Sequence, residues 1–189
     1  LVYIAIAVHC LGAYYSFGYH HPDEHYQILE FANVALGNST TDTLPWEFRA
    51  QIRPWLQPYL FAGFFKFLKM LGLESPVQWS NLVRIFLTLL NWLSIYALYQ
   101  GIRDKLSENS RIWYWWVTSA LWFFPYIHAR TSSENLSAIA LTLGVSLLFA
   151  ADTQKCLEIS KPTKKNRTLF SWLSGIAFGF AFAFRYQVA

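Results

Sequence analysis

His20-His21-Pro22-Asp23-Glu24-His25 is the stretch on which the reading of this chain turns. Leu1 to Phe17 is almost wholly aliphatic and aromatic, and then three histidines and two carboxylates arrive within six positions. An apolar run that opens directly into paired acids points to chemistry at a bilayer surface. The plainer reading is a helix start. Pro22 at its head and acids in its first turn both suit one, and Gln27-Ile28-Leu29-Glu30-Phe31 continues with helical periodicity. The spacing predicts a short amphipathic helix over 23–36, stopped by Gly37-Asn38 and a Ser/Thr-rich turn.

Working outward, composition fixes the class. Hydrophobic residues make up 54% of the 189 and charged residues only 14%, against about a quarter in globular domains. The apolar residues fall in blocks long enough to cross a bilayer, which takes about 20 residues per helix. Aromatic residues, 19% of the chain, suit membrane interfaces. The chain therefore reads as an all-α integral membrane protein. Leu1–Tyr19 lacks a small-residue cleavage site and reads as an anchor. The absence of an initial methionine and the apolar end at Ala189 lead us to expect an N-terminal part of something longer, with 1–189 forming one transmembrane domain. Two cysteines build no disulfide framework. The net charge of +4 is concentrated in one loop between apolar blocks, so it is no nucleic-acid footprint. No phosphate loop, CxxC pair or HExxH is present.

About five spans are expected, at 1–19, 81–100, 112–127, 136–151 and 169–184. Segment 59–73 is apolar but interrupted by Lys66 and Lys69, and at about 15 residues it suits an interfacial position better than a crossing. With 59–73 in the interface, the loop carrying Arg103, Lys105 and Arg111 shares a side with the lysine-rich loop Thr153–Thr168. The positive-inside rule makes that side cytoplasmic. Asp23, Glu24, Trp46 to Arg53, Arg130 to Asn135 and Arg185 then share the other side. A crossing by 59–73 would scatter them instead. The first arrangement gathers the unusual polar residues and is the one we adopt. His9, inside the first apolar run, reads as a packed residue, although an intramembrane ionisable group is also a functional candidate.

Gathered on one face, these residues divide the labour of group transfer. Asp23 and Glu24 can supply a general base for an acceptor hydroxyl. Arg84, Arg130 and Arg185, each where an apolar segment meets polar sequence, can hold a phosphate as it leaves. Each arginine alone would also suit snorkelling to head groups.

At this point the chain resembles a known family. His21-Pro22-Asp23-Glu24-His25-Tyr26-Gln27, followed by Leu29-Glu30, is similar to the PDE-(F/Y/W)-Q-x-x-E signature of family 22 glycosyltransferases, the mannosyltransferases of N-glycan and GPI-anchor assembly and their bacterial relatives. The likeness continues in order. Leu44-Pro45-Trp46-Glu47-Phe48 resembles LTWEW and Ile52-Arg53-Pro54-Trp55 resembles IRS. Arg84 falls where that family has PR, Ala129–Leu136 resembles TRTLTNTME, and Phe184-Arg185 resembles RP. His21, Ala50-Gln51, Glu134-Asn135 and the Tyr-Gln after Arg185 depart from the eukaryotic pattern and turn the expectation toward a bacterial relative.

The resemblance implies a GT-C-type polytopic helix bundle with two membrane-parallel helices in its first extracytoplasmic loop. It implies inverting transfer of mannose, or a similar hexose, from a polyprenyl- or dolichyl-phosphate carrier to a glycan or glycolipid hydroxyl. Asp23 would be the base by motif position and Glu24 would assist. Arg130, Arg185 and Arg84 would hold the carrier phosphate, and His25, Gln27, Trp46, Glu47 and Arg53 would shape the substrate site. The expected partners are the lipid-linked donor, the acceptor and membrane lipids. No cofactor is required by this chemistry; the carboxylates and His25 could hold a divalent metal. The expected setting is the bacterial inner membrane with a periplasmic site, or the endoplasmic reticulum membrane with a luminal site in a eukaryote. A transporter or a non-catalytic membrane scaffold is the alternative class. The first would show an inverted repeat, which the chain lacks, and the second would have no use for the carboxylates.

Overall fold

A computed structural model describes residues 2–19, 21–152 and 164–185. His20, the expected loop residues 153–163 and the Tyr-Gln after Arg185 lie outside the described residues. Helices account for all the regular structure among those described. The long ones are α1 (Val2–Tyr14), α4 (Leu56–Met70), α5 (Pro76–Ile102), α6 (Glu108–Ala120), α8 (Ser133–Asp152) and α9 (Lys164–Phe184). Between them lie a π-helical turn (Glu24–Leu29) that runs into α2 (Glu30–Ala35), and the short helices α3 (Trp46–Arg49) and α7 (Phe123–His128). Three described helices, Pro76–Lys105, Ser133–Ala151 and Arg167–Phe184, are long and apolar enough to cross a membrane. The protein is an all-α integral membrane protein.

Proline placement explains where these boundaries differ from the sequence expectation. The expected segment 59–73 is α4 at Leu56–Met70. Pro58 sits inside its first turn, where a backbone N–H has no intrahelical partner to lose. Gly72, at φ 83°, ends the helix. The expected 81–100 span begins earlier, because Pro76 occupies the first turn after an extended Ser75. The expected single crossing at 112–127 is two helices. A proline ring clashes with the carbonyl four residues back, and for Pro125 that residue is Leu121, where the backbone is extended at ψ 111°. The break lets α7 start afresh with Pro125 in its own first turn.

The 23–36 helix is also divided. Its first part is a π-helical turn in which the Glu30 N–H bonds to the His25 carbonyl, and such turns are frequent at functional sites. The end is as expected: Gly37, at φ 75°, lets its own N–H and that of Asn38 reach back to Val34 and Asn33.

One core gathers these pieces. Ile28, Leu29 and Ala32 meet Phe61, Ala62, Phe65 and Leu68 of α4, all buried, and Val83 and Leu87 of α5 join them with Leu136, Ile139 and Ala140 of α8. Phe31, fully buried, lies against Trp55 at 5.0 Å and Phe48 at 6.0 Å between ring centroids. These contacts seat the α2 and α3 segments on the bundle. Ala5, His9 and Ala13 form the buried stripe of α1. Gly12 lets α1 approach α7, since a Cβ there would stand 3.1 Å from the Pro125 Cβ.

Helix approach elsewhere depends on Gly101 in α5, where a Cβ would lie 3.0 Å from the Phe149 Cβ and 3.2 Å from the Ser146 carbonyl. Overpacking such a site costs about 1–3 kcal/mol. Gly101→Leu is therefore expected to lower the thermal midpoint in detergent micelles. Gly63→Leu, at a position with open space around it, leaves that midpoint within error. Equal midpoints for both variants would contradict the close α5–α8 packing.

Candidate functional site

The site begins where α1 stops. After Tyr14 the chain runs irregularly through Ser16, Phe17 and Gly18, and buried carbonyls there must find donors outside regular structure. Arg84 of α5 supplies them, one guanidinium nitrogen donating to the Ser16 carbonyl and the other to the Gly18 carbonyl at 2.6 Å. Arg130 donates to the same Gly18 oxygen at 3.1 Å. Gly18 adopts φ 69°, a left-handed conformation that costs glycine least. Two arginines from distant parts of the chain thus fix the backbone that leads into His21-Pro22-Asp23-Glu24. Both are almost fully buried, Arg84 at 5% and Arg130 at 3% exposure.

The segment carrying Arg130 is held from behind by amides. Asn91 of α5 donates to the Asn135 side-chain oxygen at 2.9 Å and to the His128 carbonyl at 3.2 Å. Asn135 in turn donates to the carbonyls of Arg130 at 2.7 Å and His128 at 3.1 Å. Gln57, from the first turn of α4, donates to the Thr131 carbonyl at 2.7 Å. The carbonyls of His128, Arg130 and Thr131 in the turn from α7 to α8 are therefore satisfied by side chains, as buried backbone requires. Arg130 itself stacks over the Tyr126 ring at 4.0 Å, and its Nε is buried without a hydrogen-bond partner.

These restraints shape a cavity of about 300 Å³ lined by His21, Asp23, Glu24, Gln27, Ile28, Ile127, Arg130, Ser132, Ser133, Glu134 and Arg185. Two carboxylates from one end of the chain thus face two arginines more than a hundred positions away. Glu24 is buried and Asp23 half-exposed. The Asp23 carboxylate lies 3.4 Å from the His21 ring, whose Nδ1 also accepts from the Asp23 N–H. Arg185 pairs with Glu134 at 2.9 Å and donates to the Ser133 hydroxyl at 3.3 Å.

The remaining expected residues fall in three places. Gln27 lines the cavity and donates to Glu47 at 3.0 Å, and the Arg53 guanidinium lies 3.6 Å from the same carboxylate oxygen. Glu47 is thus buried with two partners beside the site rather than inside it. His25 turns away to pair with Glu30 at 3.1 Å, its ring 5.0 Å from those of Tyr19 and Tyr26. Trp46 is 69% exposed and lines neither the cavity nor its neighbours. Arg84 also stays outside the cavity lining, committed to backbone. Among the described residues, no three His, Cys, Asp or Glu side chains cluster as metal ligands would.

Sequence reasoning passed over Gln57 and Asn91. Asn91 is an amide in the apolar middle of α5 and Gln57 an amide at the start of the apolar α4, which is the signal that would have found them, because a buried amide is rarely left without a specific partner.

Residues 1–187 match the Alg9-like mannosyltransferase family. The chain belongs to that family. Its relatives include GPI mannosyltransferase 3 of Drosophila melanogaster, 30% identical over 150 residues, which is 77% of this chain and 25% of the relative. Mannosyltransferase APTG1 of Arabidopsis thaliana is 29% identical over 127 residues, 67% of this chain and 23% of the relative. Human GPI alpha-1,2-mannosyltransferase 3 is 24% identical over 140 residues, 74% of this chain and 25% of the relative. The chain spans about a quarter of the length of these relatives. No solved structure matches it.

The Asn91–Asn135 pair offers a direct check on how this family member holds its arginine turn. Contacting buried groups couple by about 0.5–3 kcal/mol in double-mutant cycles. Asn91→Ala and Asn135→Ala are expected each to lower stability, and the double variant to lose less than their sum. Strict additivity in thermal or denaturant unfolding would remove the pair from the network.

Proposed function

We propose that this chain forms the substrate-binding part of an inverting mannosyltransferase that takes its sugar from a polyprenyl- or dolichyl-phosphate carrier. The acceptor is a glycan or glycolipid hydroxyl, with a GPI-type glycolipid favoured by the names of the relatives. The observation that carries this is the single cavity that brings Asp23 and Glu24 opposite Arg130 and Arg185. Family membership narrows the chemistry from group transfer in general to mannosyl transfer.

Each side chain has a role that its surroundings support. A carrier phosphate needs charge-assisted donors in a site shielded from water. Arg130 fits, with a buried guanidinium and an unpartnered Nε. Arg185 can join it by exchanging Glu134 for the phosphate. Asp23, at the half-exposed edge of the cavity, is the base that takes the acceptor proton and passes it to solvent. Glu24, buried deeper, holds the acceptor or the sugar. Direct displacement at the anomeric carbon then breaks its bond to the phosphate oxygen and forms the new glycosidic bond with inverted configuration. Arg84 acts through backbone, holding Ser16 and Gly18 so that the acids present themselves to the cavity.

The cavity would lie on the extracytoplasmic face. Arg84 and Lys105 stand about twenty positions apart along α5 and its extension, roughly 30 Å at 1.5 Å per residue, which is a bilayer's apolar thickness. That separation supports the cavity and the basic end around Arg103, Lys105 and Arg111 lying on opposite faces. A eukaryotic protein would place the site in the lumen of the endoplasmic reticulum and a bacterial one in the periplasm.

Turnover and donor binding in the complete protein test these assignments. Asp23→Asn keeps shape but cannot accept a proton, so turnover is expected to fall by about 10²–10⁴ with donor binding nearly unchanged. Arg130→Ala is expected to weaken donor use, by about 2–5 kcal/mol for a buried charge pair. Near-native turnover in Asp23→Asn with an inactive Glu24→Gln would transfer the base role to Glu24. Native donor use in Arg130→Ala would remove that residue from the phosphate site.

A further inference from the structure

Beside the main cavity is a much smaller cleft that none of the roles above uses. It measures about 20 Å³, and it shares Gln27, Ile28, Ser133 and Arg185 with the larger cavity while adding Arg53, Pro54, Gln57, Pro58 and Phe184. That volume holds one water-sized group and no more. Two of its lining residues carry a buried, unsatisfied atom. Gln57 is 2% exposed. Its amide nitrogen is committed to the Thr131 carbonyl at 2.7 Å, and its Oε1 is buried with no partner. Arg53 has its guanidinium beside Glu47, 3.6 Å away, and its Nε is likewise buried with no partner.

The chemistry of the two orphans is complementary. Gln57 Oε1 only accepts a hydrogen bond, and Arg53 Nε only donates one. A hydroxyl group has the donor that Gln57 lacks and the acceptor that Arg53 lacks. Leaving such groups unpaired in a buried site is costly, so the arrangement favours a ligand that supplies a hydroxyl. The amide cannot turn to escape the requirement, because its nitrogen is fixed on Thr131, next to Arg130.

We propose that Gln57 and Arg53 form a one-hydroxyl subsite that reads a single sugar hydroxyl of the substrate in the adjoining cavity. This rests on the mannosyl-transfer reading above and deepens it, assigning Gln57 a substrate contact and a part in sugar specificity. The hydroxyl belongs either to the mannosyl group of the donor or to the acceptor sugar; both present the same chemistry to the cleft. Because Gln57 also holds the Thr131 carbonyl, the same side chain links recognition of the sugar to the position of the phosphate-binding arginine.

The test uses the complete protein in membranes and two sets of monodeoxy analogues, one of the lipid-phosphate mannose donor and one of the acceptor. For the native protein, one analogue is expected to lose about 10- to 100-fold in kcat/KM. Gln57→Leu and Gln57→Asn, the second keeping an amide one methylene shorter, are expected to handle that analogue and the parent compound alike. The set that contains the discriminated analogue identifies whether donor or acceptor enters the cleft. A uniform loss of activity with undiminished discrimination in both variants would make Gln57 a structural support for Thr131 and overturn the subsite. Equal use of all monodeoxy compounds by the native protein would leave the cleft to a water molecule and overturn it as well. Absence of any mannosyl transfer by the native protein would instead overturn the functional reading on which the subsite rests.

Discussion

The convergence of Arg84 and Arg130 on the carbonyl of Gly18 is the constraint from which the site follows. Burying two guanidinium groups is costly unless their donors are met. Here the first helix stops at Tyr14 and the carbonyls of Ser16 and Gly18 beyond it accept from them. The cations gain acceptors, the unwound backbone gains donors, and the chain is aimed so that Pro22, Asp23 and Glu24 enter beside the α7–α8 turn. Without that exchange, residues 16–19 would have no reason to hold a single path. The acids would then have no fixed relation to Arg130 or Arg185.

A second layer protects this arrangement from water. Asn91, Asn135 and Gln57 satisfy the backbone of residues 128–131 from three directions. The apolar core of α4, α5 and α8 lies beneath. Polar networks of this kind specify position more than they add stability, provided every member is paired. Three of the buried atoms without a hydrogen-bond partner, Arg130 Nε, Arg53 Nε and Gln57 Oε1, belong to residues that line the cavity or its small extension. Unsatisfied groups beside a cavity are ones that a bound ligand can complete.

Much of this was legible in the sequence, and the reasons are local. The acid pair after an apolar run, the ordered motif segments and the apolar blocks gave the all-α membrane class and brought Asp23, Glu24, Gln27, Arg130 and Arg185 together on paper. What stayed hidden depended on partners across the chain. Arg84 reads as one more cation at a membrane edge until its two carbonyl acceptors are visible. The 112–127 stretch reads as one crossing, although the chain breaks at Leu121, four residues before Pro125, and a new helix starts at Phe123. The π-helical turn leaves no mark in residue type, and Gln57 has no periodicity to announce it. Trp46 shows the converse: a motif residue by resemblance, and a largely exposed one in the fold.

We propose that the acids of the first polar segment and the arginines after α7 and α9 close on one substrate. The most direct measurement is an experimental structure of the complete protein with a polyprenyl-phosphate mannose, or a non-hydrolysable analogue, bound. The phosphate is expected within hydrogen-bond distance of Arg130 and Arg185, with the anomeric carbon facing Asp23 and Glu24. A phosphate bound away from both arginines, with the cavity between them and the acids closed or filled by side chains, would contradict it.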